Sequence, residues 1–262
     1  MGLYDVPAFY TKVLAESGKE KLIYFGHSEG TSQMFVAGLD DSTRDFITAK
    51  TEKFFALAPV IFLNHVGSTL IDVAAKFNGI MYTLSSLIGL KELAPAECDI
   101  DHNRIWTEAV QWMCDNLKWF CDNSVPGFNF DERVDNALDH VDRLTDHFPS
   151  GTSAKAFEKY AQAMSMGEKK TFQKFDYGPL NMFHYGSFSP PKWDVAKWAI
   201  PTVLVVGTRD EFGTVEDNSN FASMVDVGLT KTYYMKDWDH YTFCFARNPM
   251  PLFSAIDLEL GN

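Results

Sequence analysis

One short stretch, KLIYFGHSEGTS at residues 21–32, constrains the fold of this chain more than any other. Its apolar and aromatic first half predicts a buried strand over 22–26, and the residues after it predict a helix over 31–39. Between them lies a G-x-S-x-G sequence centred on Ser28. Such a turn strains the serine backbone and points the hydroxyl out of the sheet. We therefore predict that Ser28 is a nucleophile at the end of a strand.

The two glycines of this turn, Gly26 and Gly30, predict that the helix packs closely on the strand. Neither residue carries a Cβ atom, so the two backbones can approach each other.

The sequence around this turn predicts helices alternating with strands. Apolar spacing predicts a helix over 4–17, residues 40–51 are polar and helical, and residues 53–63 predict a second buried strand. Short connections between such elements indicate a parallel sheet. The same pattern returns near the end, with strands over 200–207 and 231–236 and helices over 217–227 and 249–260.

The middle of the chain has a different pattern, helical and irregular, with few candidate strands. It predicts helices over 66–90, 105–120, 131–147 and 153–166 and a loop over 177–192. We therefore divide the chain into a core portion with the serine turn at 1–63, a helical insertion at 64–198 and a second core portion at 199–262.

Two further polar residues follow the last two predicted strands, Asp210 and His240. A serine hydroxyl needs a base to remove its proton, and an imidazole needs an acid to orient it. The chain order of serine, acid and histidine is typical of α/β-hydrolases. We predict that His240 is the base and Asp210 the acid, with Asp217 and Asp239 as alternative acids.

Composition excludes several function classes. The formal net charge of -12 disfavours binding to nucleic acid or to anionic lipid by charge. The sequence contains neither a long uncharged apolar run nor a signal peptide, and we expect no cofactor. We also expect no metal: the polar residues that could suggest one lie on a helix face that we interpret as solvated. These residues are His140, Asp142, Asp146 and His147.

Several phrases resemble the acid lipase family, the gastric and lysosomal acid lipases and their insect and plant relatives. The resemblance covers nearly the whole chain. It rests on YDVPAFYTKVL, GHSEGT, ALAPV, HFPSGTSAKAF, FDYGPLNMFHYGSFSPPKWDV, VVGTRDEF and WDHYTF, in that order.

The resemblance implies an α/β-hydrolase fold with a large helical lid at the insertion, and hydrolysis of triacylglycerols or cholesteryl esters at a lipid interface. It assigns Ser28 as nucleophile, Asp210 as acid, His240 as base and the backbone N–H of Glu29 as an oxyanion donor. It also implies a secreted or lysosomal protein. Cys98 and Cys114 resemble the lid disulfide of the family at a longer separation, and a Cys114–Cys121 pair is the alternative.

Two departures from the family pattern affect these expectations. Glu29 stands where the family usually has Gln, and we expect its carboxylate to face solvent or a cation. The sequence also starts after the family's first strands and the His-Gly loop that supplies a second oxyanion donor. We therefore expect the 262-residue chain alone to be a weak, aggregation-prone hydrolase, or to need a protein partner that covers an open sheet edge.

Three functions stay open on sequence grounds. The first is a serine lipase or esterase, and the second is a lipase-like lipid-binding or scaffold protein without catalysis. The third is another α/β-hydrolase chemistry, such as that of a peptidase or thioesterase. The predicted Ser28, Asp210 and His240 favour the first over the second, and the resemblance of the insertion to a lipase lid favours the first over the third.

Overall fold

The computed structural model describes residues 1–66, 92–93, 134–136, 152–165 and 171–261. Its strands are β1 (Leu22–His27), β2 (Thr51–Leu57), β3 (Glu92–Leu93), β4 (Thr152–Ser153), β5 (Thr202–Gly207) and β6 (Thr230–Met235). Its α-helices are α1 (Asp5–Ser17), α2 (Glu29–Leu39), α3 (Arg44–Lys50), α4 (Ala154–Met164), α5 (Asn181–Tyr185), α6 (Val215–Met224), α7 (Thr242–Phe245) and α8 (Met250–Leu260). Two 3₁₀ turns span Gly178–Leu180 and Val195–Lys197.

Four of these strands form one parallel sheet in the order β1-β2-β5-β6. Because parallel strands end at the same edge of a sheet, residues after β1, β5 and β6 lie on one side of the molecule. The short strands β3 and β4 pair with each other in an antiparallel ladder. The predicted parallel sheet is therefore present, and its carboxyl edge carries the candidate site.

Side chains of the central strands alternate between two apolar layers, because successive strand residues point to opposite faces. In β5, Leu204 and Val206 join the layer beneath α1, α2 and α6, whereas Val203 and Val205 join the layer beneath α8. Both faces of the sheet are thus covered, as a parallel sheet requires.

The second strand is shorter than the sequence predicts. We expected a strand over 53–63, but β2 ends at Leu57, and Ala58 has a positive φ of 46°. Residues 58–63 are all buried without being a strand. Their apolar character therefore reflects packing of a loop beneath the site, which sequence periodicity does not distinguish from a buried strand.

Several predictions fall outside the described residues. They include the helices over 66–90 and 105–120, most of the helix over 131–147 and the pairing of Cys98, Cys114 and Cys121. From the predicted insertion, Phe172, Val195 and Trp198 pack in the core layer that also contains α2. The division at residues 63 and 198 stays a prediction.

Of the helices that the structure describes, none has the length and apolar character needed to cross a lipid bilayer.

The predicted close approach of α2 to β1 occurs at one glycine and not at the other. A Cβ atom at Gly26 would lie 2.9 Å from the backbone C and O atoms of Gly30, a separation that forces a shift. At Gly30 an added Cβ would meet no described atom within 4 Å. The expectation is confirmed for Gly26 and wrong for Gly30, whose own Cβ position is open.

These two glycines form a matched pair for a stability test. Gly26→Ala should lower the free energy of unfolding by about 1–3 kcal/mol, because a close-packed site has no room for the extra methyl group. Gly30→Ala should be neutral or stabilising by up to about 1 kcal/mol, because alanine is the better helix former. Urea denaturation of both variants measures the difference, and equal losses would contradict the described packing.

Candidate active site

Ser28 has the strained backbone that the sequence predicts, with φ 52° and ψ −116°. Three hydrogen bonds maintain it. The Ser28 N–H donates to the Leu57 carbonyl at 3.1 Å, and the N–H and hydroxyl of Thr31 both donate to the Ser28 carbonyl, at 2.9 and 2.5 Å. The strain is therefore imposed by the end of β2 on one side and by the first turn of α2 on the other.

Thr31 also connects this turn to the buried loop that follows β2. Its side chain is fully buried, and its hydroxyl accepts a hydrogen bond from the Val60 N–H at 2.9 Å. The neighbouring Ser32 hydroxyl donates to the Val60 carbonyl at 2.6 Å. The loop that was predicted as strand thus acts as a support for the serine turn.

The structure brings together all three residues predicted from sequence. His240 Nε2 lies 2.6 Å from Ser28 Oγ, and His240 Nδ1 lies 3.0 Å from each carboxylate oxygen of Asp210. His240 and Asp210 are buried. A proton can therefore pass from the serine hydroxyl to one ring nitrogen while the acid holds the other.

Two backbone groups hold the Asp210 carboxylate in place. Its Oδ1 atom accepts hydrogen bonds from the N–H groups of Phe212 and Gly213, both at 2.8 Å. These two hydrogen bonds fix the carboxylate where each of its oxygens lies 3.0 Å from His240 Nδ1. A carboxylate in this position can stabilise an imidazolium ion at His240.

The loops that carry the acid and the base pack directly on each other. The Arg209 N–H donates to the Trp238 carbonyl at 2.9 Å. A Cβ atom on Gly207 would lie 2.5 Å from the same oxygen, so the loops could not approach this closely with any other residue there. The distance between Asp210 and His240 therefore depends on a glycine at the end of β5.

The alternative acids have different partners. Asp217 Oδ1 lies 2.7 Å from His65 Nδ1, and its Oδ2 accepts hydrogen bonds from the N–H groups of Asn64 and His65 at 2.9 and 3.2 Å. Asp239 accepts from the N–H groups of Tyr241 and Thr242, at 2.9 Å each, and so caps the turn after His240. Asp210 alone of these three carboxylates faces the ring of His240.

Sequence reasoning missed one residue of the site, His27. Its Nε2 lies 3.0 Å from the His240 carbonyl oxygen, and its Nδ1 lies 3.8 Å from the Cys244 thiol. Burial and the nearby His240 lower the pKa of His27. With a proton on Nε2, the ring can donate to that carbonyl. Its position before Ser28 gave no signal of this contact.

Glu29 is the first residue of α2, where a backbone N–H has no acceptor within the helix. That N–H is therefore available for an oxyanion, as the family resemblance implies. The Glu29 carboxylate is half-buried, and burial together with this negative charge raises the pKa of Tyr160. The side chain thus lies near a tyrosine of α4, and the expectation that it faces solvent or a cation stays a prediction.

A cavity of about 390 Å³ adjoins Glu29. It lies between α2, α4 and the segment 171–177, and apolar side chains supply much of its wall. They include Val36, Val60, Ile61, Leu63, Ala163, Phe172 and Trp193.

Within the described ranges, no group of three or more His, Cys, Asp or Glu side chains has an arrangement that could hold a metal ion. The residues His140, Asp142, Asp146 and His147 lie outside those ranges.

Sequence comparison finds acid lipases. The lysosomal acid lipase/cholesteryl ester hydrolase of Macaca fascicularis is 30% identical over 263 residues, which cover 98% of this chain and 61% of that protein. The gastric triacylglycerol lipase of Rattus norvegicus is 31% identical over 255 residues, which cover 94% and 59%. This chain thus spans about three fifths of the length of these relatives. No family model matches the chain.

Structural comparison supports the fold. The monoacylglycerol lipase of Paleococcus ferrophilus superposes with a TM-score of 0.53 over 99% of this chain and 75% of that structure, at 13% sequence identity. The four-stranded parallel sheet with helices on both faces is consistent with this likeness. The chain has an α/β-hydrolase fold.

The two acids Asp210 and Asp217 provide a direct test of the geometry. Asp210→Asn should lower kcat for an ester by about 10⁴-fold, because the amide favours the wrong tautomer of His240. Asp217→Asn should leave kcat nearly unchanged, since its carboxylate contacts His65 instead. Steady-state hydrolysis of a p-nitrophenyl ester measures both, and the reverse order would show that Asp217 is the acid.

Proposed function

We propose that this relative of the acid lipases is a serine hydrolase that cleaves carboxylic esters of lipids through an acyl-enzyme. The observation that carries the proposal is the 2.6 Å distance between Ser28 Oγ and His240 Nε2, with Asp210 at the other ring nitrogen. Acyl transfer of this kind requires a nucleophile, a base hydrogen-bonded to the nucleophile and an acid that orients the base.

The reaction would proceed in two steps. Ser28 Oγ attacks the ester carbonyl carbon while its proton moves to His240 Nε2, and His240 then gives that proton to the departing alcohol oxygen. Water next attacks the acyl-enzyme, with His240 accepting its proton and returning it to Ser28. Asp210 holds the ring and stabilises its positive charge in both steps.

Each step places negative charge on the carbonyl oxygen. We propose that the Glu29 N–H donates to it, and that the family's N-terminal portion, joined to this chain, would contribute a second donor. Loss of one such donor typically costs about 10²–10³ in rate. The 262-residue chain alone should therefore be slower than a form that carries the additional residues.

The relatives' names suggest the substrate class, since they refer to a cholesteryl ester hydrolase and a triacylglycerol lipase. The apolar cavity is lined by Glu29, the residue after Ser28, and we propose that it holds a long acyl chain. An apolar chain gains free energy on leaving water for such a wall. We also propose that the protein is secreted or lysosomal, in accordance with those relatives.

One observation favours a second candidate, a lipid-binding protein with little or no turnover. The apolar cavity beside Glu29 could hold lipid whether or not Ser28 reacts. A protein of this kind would bind lipid in the cavity and still hold Ser28 and His240 in place. Turnover measurements separate the two candidates.

The decisive assay compares a soluble p-nitrophenyl butyrate with an emulsified long-chain triacylglycerol, for the 262-residue chain and for a form extended at its N-terminus. We expect both forms to cleave esters, the extended form faster, and Ser28→Ala to abolish cleavage in each. Binding of lipid without cleavage by either form would support the alternative candidate.

A cavity variant tests the acyl site in the same assay. Ala163→Trp should fill the cavity and reduce long-chain cleavage more than butyrate cleavage, because the short ester does not need the space. Ala8→Trp, on an exposed position of α1, is the matched control and should leave the ratio of the two rates unchanged. Equal losses on both substrates in Ala163→Trp would remove the cavity from the proposal.

A further inference from the structure

Residues 134–136, from the middle of the predicted insertion, lie directly against the loop that carries His240. The Asp135 carbonyl accepts a hydrogen bond from the Arg247 N–H at 2.9 Å. Asn136 forms an antiparallel β-bridge with Ala246. A distant part of the sequence is therefore attached to the segment that follows β6.

The Asn136 side chain is 1% exposed and bonds to two side chains on either side of His240 in sequence. Its Nδ2 donates to Asp239 Oδ2 at 2.8 Å, and its Oδ1 accepts from the Thr242 hydroxyl at 2.8 Å. A carboxamide supplies both a donor and an acceptor on one short side chain. Asn136 thus connects Asp239 to Thr242 from outside the turn.

The turn itself is closed by the same two residues. Asp239 Oδ1 accepts from the N–H groups of Tyr241 and Thr242, and the Asp239 N–H donates to Thr242 Oγ1 at 2.9 Å. His240 lies between them, so the shape of this turn determines where its ring meets Ser28 and Asp210. Buried networks of this kind depend on every member having its partner.

We propose that Asn136 is a positioning residue for His240: it holds the Asp239–Thr242 turn so that the imidazole stays between Ser28 and Asp210. This inference rests on the proposed function for its kinetic test. The side-chain hydrogen bonds described for Asn136 are to Asp239 and Thr242, and we propose that it acts through these two residues.

The charges around the turn make the amide at this position important. Asp210 and Glu211 precede α6, and burial followed by the charges of Asp210 and Asp239 raises the pKa of Glu211. The same Asp239 charge contributes, after burial, to the raised pKa of Tyr241, about 12. His27 and His240 are both histidines of the site. A second carboxylate beside Asp239 would therefore be strongly unfavourable unless it carried a proton.

Asn136→Asp tests this proposal through its pH dependence. At acidic pH the new carboxyl group shares a proton with Asp239 and restores the hydrogen bond. As pH rises the proton is lost, the two carboxylates repel each other and the turn opens. We expect kcat of Asn136→Asp to fall by about tenfold or more as pH rises, which gives a falling limb in its profile of kcat against pH. KM should change little, because it is the general base that is displaced.

The wild-type protein provides the reference profile, since it lacks the added carboxyl group and its kcat should show no fall of this kind as pH rises. Asn181→Asp is the matched control. Asn181 is also 1% exposed and donates to a carboxylate, Asp176 Oδ1, at 2.7 Å, but it lies in the 176–188 segment. The Asn181→Asp variant should also lose stability as pH rises, but its kcat should show no falling limb. A falling limb in both variants, or in neither, would overturn the proposal.

A second pair of variants covers the case in which Asn136→Asp does not fold. Thr242→Val removes the hydroxyl that Asn136 and Asp239 share, whereas Thr242→Ser retains it. We expect Thr242→Val to lower kcat and Thr242→Ser to restore it. Equal kcat in both variants would contradict the role of the network.

An activity-independent measurement separates this inference from the proposed function. The ring resonances of His240, assigned by their loss in His240→Gln, should shift in Asn136→Asp or Thr242→Val and stay in place in Asn181→Asp. If the wild-type protein cleaves no ester, the proposed function fails while the shift still decides the role of Asn136. Unchanged resonances in Asn136→Asp and Thr242→Val would refute that role.

Discussion

The contact between Ser28 Oγ and His240 Nε2 is the interaction on which the rest of the site depends. It joins residues that follow β1 and β6, the two outermost strands of the described parallel sheet. The sheet brings both strand ends to one edge. Because β2 and β5 lie between β1 and β6, the loops that follow β1 and β6 must also extend toward each other over the ends of these two strands. The close packing of Gly207 on the Trp238 carbonyl and the strained turn at Ser28 make this possible.

Much of this arrangement could be predicted because it follows from local sequence. An α/β-hydrolase fold was indicated by the apolar strands, by the G-x-S-x-G turn and by the chain order of the candidate residues Ser28, Asp210 and His240. The structure brings these three side chains together, and their catalytic role stays a prediction. The resemblance to acid lipases, inferred from the same motifs, is confirmed by the sequence comparisons.

The remainder depends on tertiary contacts that local sequence does not encode. Asp210 and Asp217 both follow β5, and only the tertiary structure shows that the Asp217 carboxylate contacts His65. Residues 58–63 have the composition of a strand because they are buried beneath the serine turn. Asn136 contacts Asp239 across more than a hundred residues of sequence, and no motif marks it.

The most direct test of the central claim is the reaction of Ser28 with an active-site phosphonate, followed by peptide mass spectrometry. If His240 and Asp210 activate Ser28, the reagent should modify that serine alone, and His240→Gln should slow the reaction by orders of magnitude in a protein that melts like the wild type. Modification of another residue, or an unchanged rate in His240→Gln, would contradict the account.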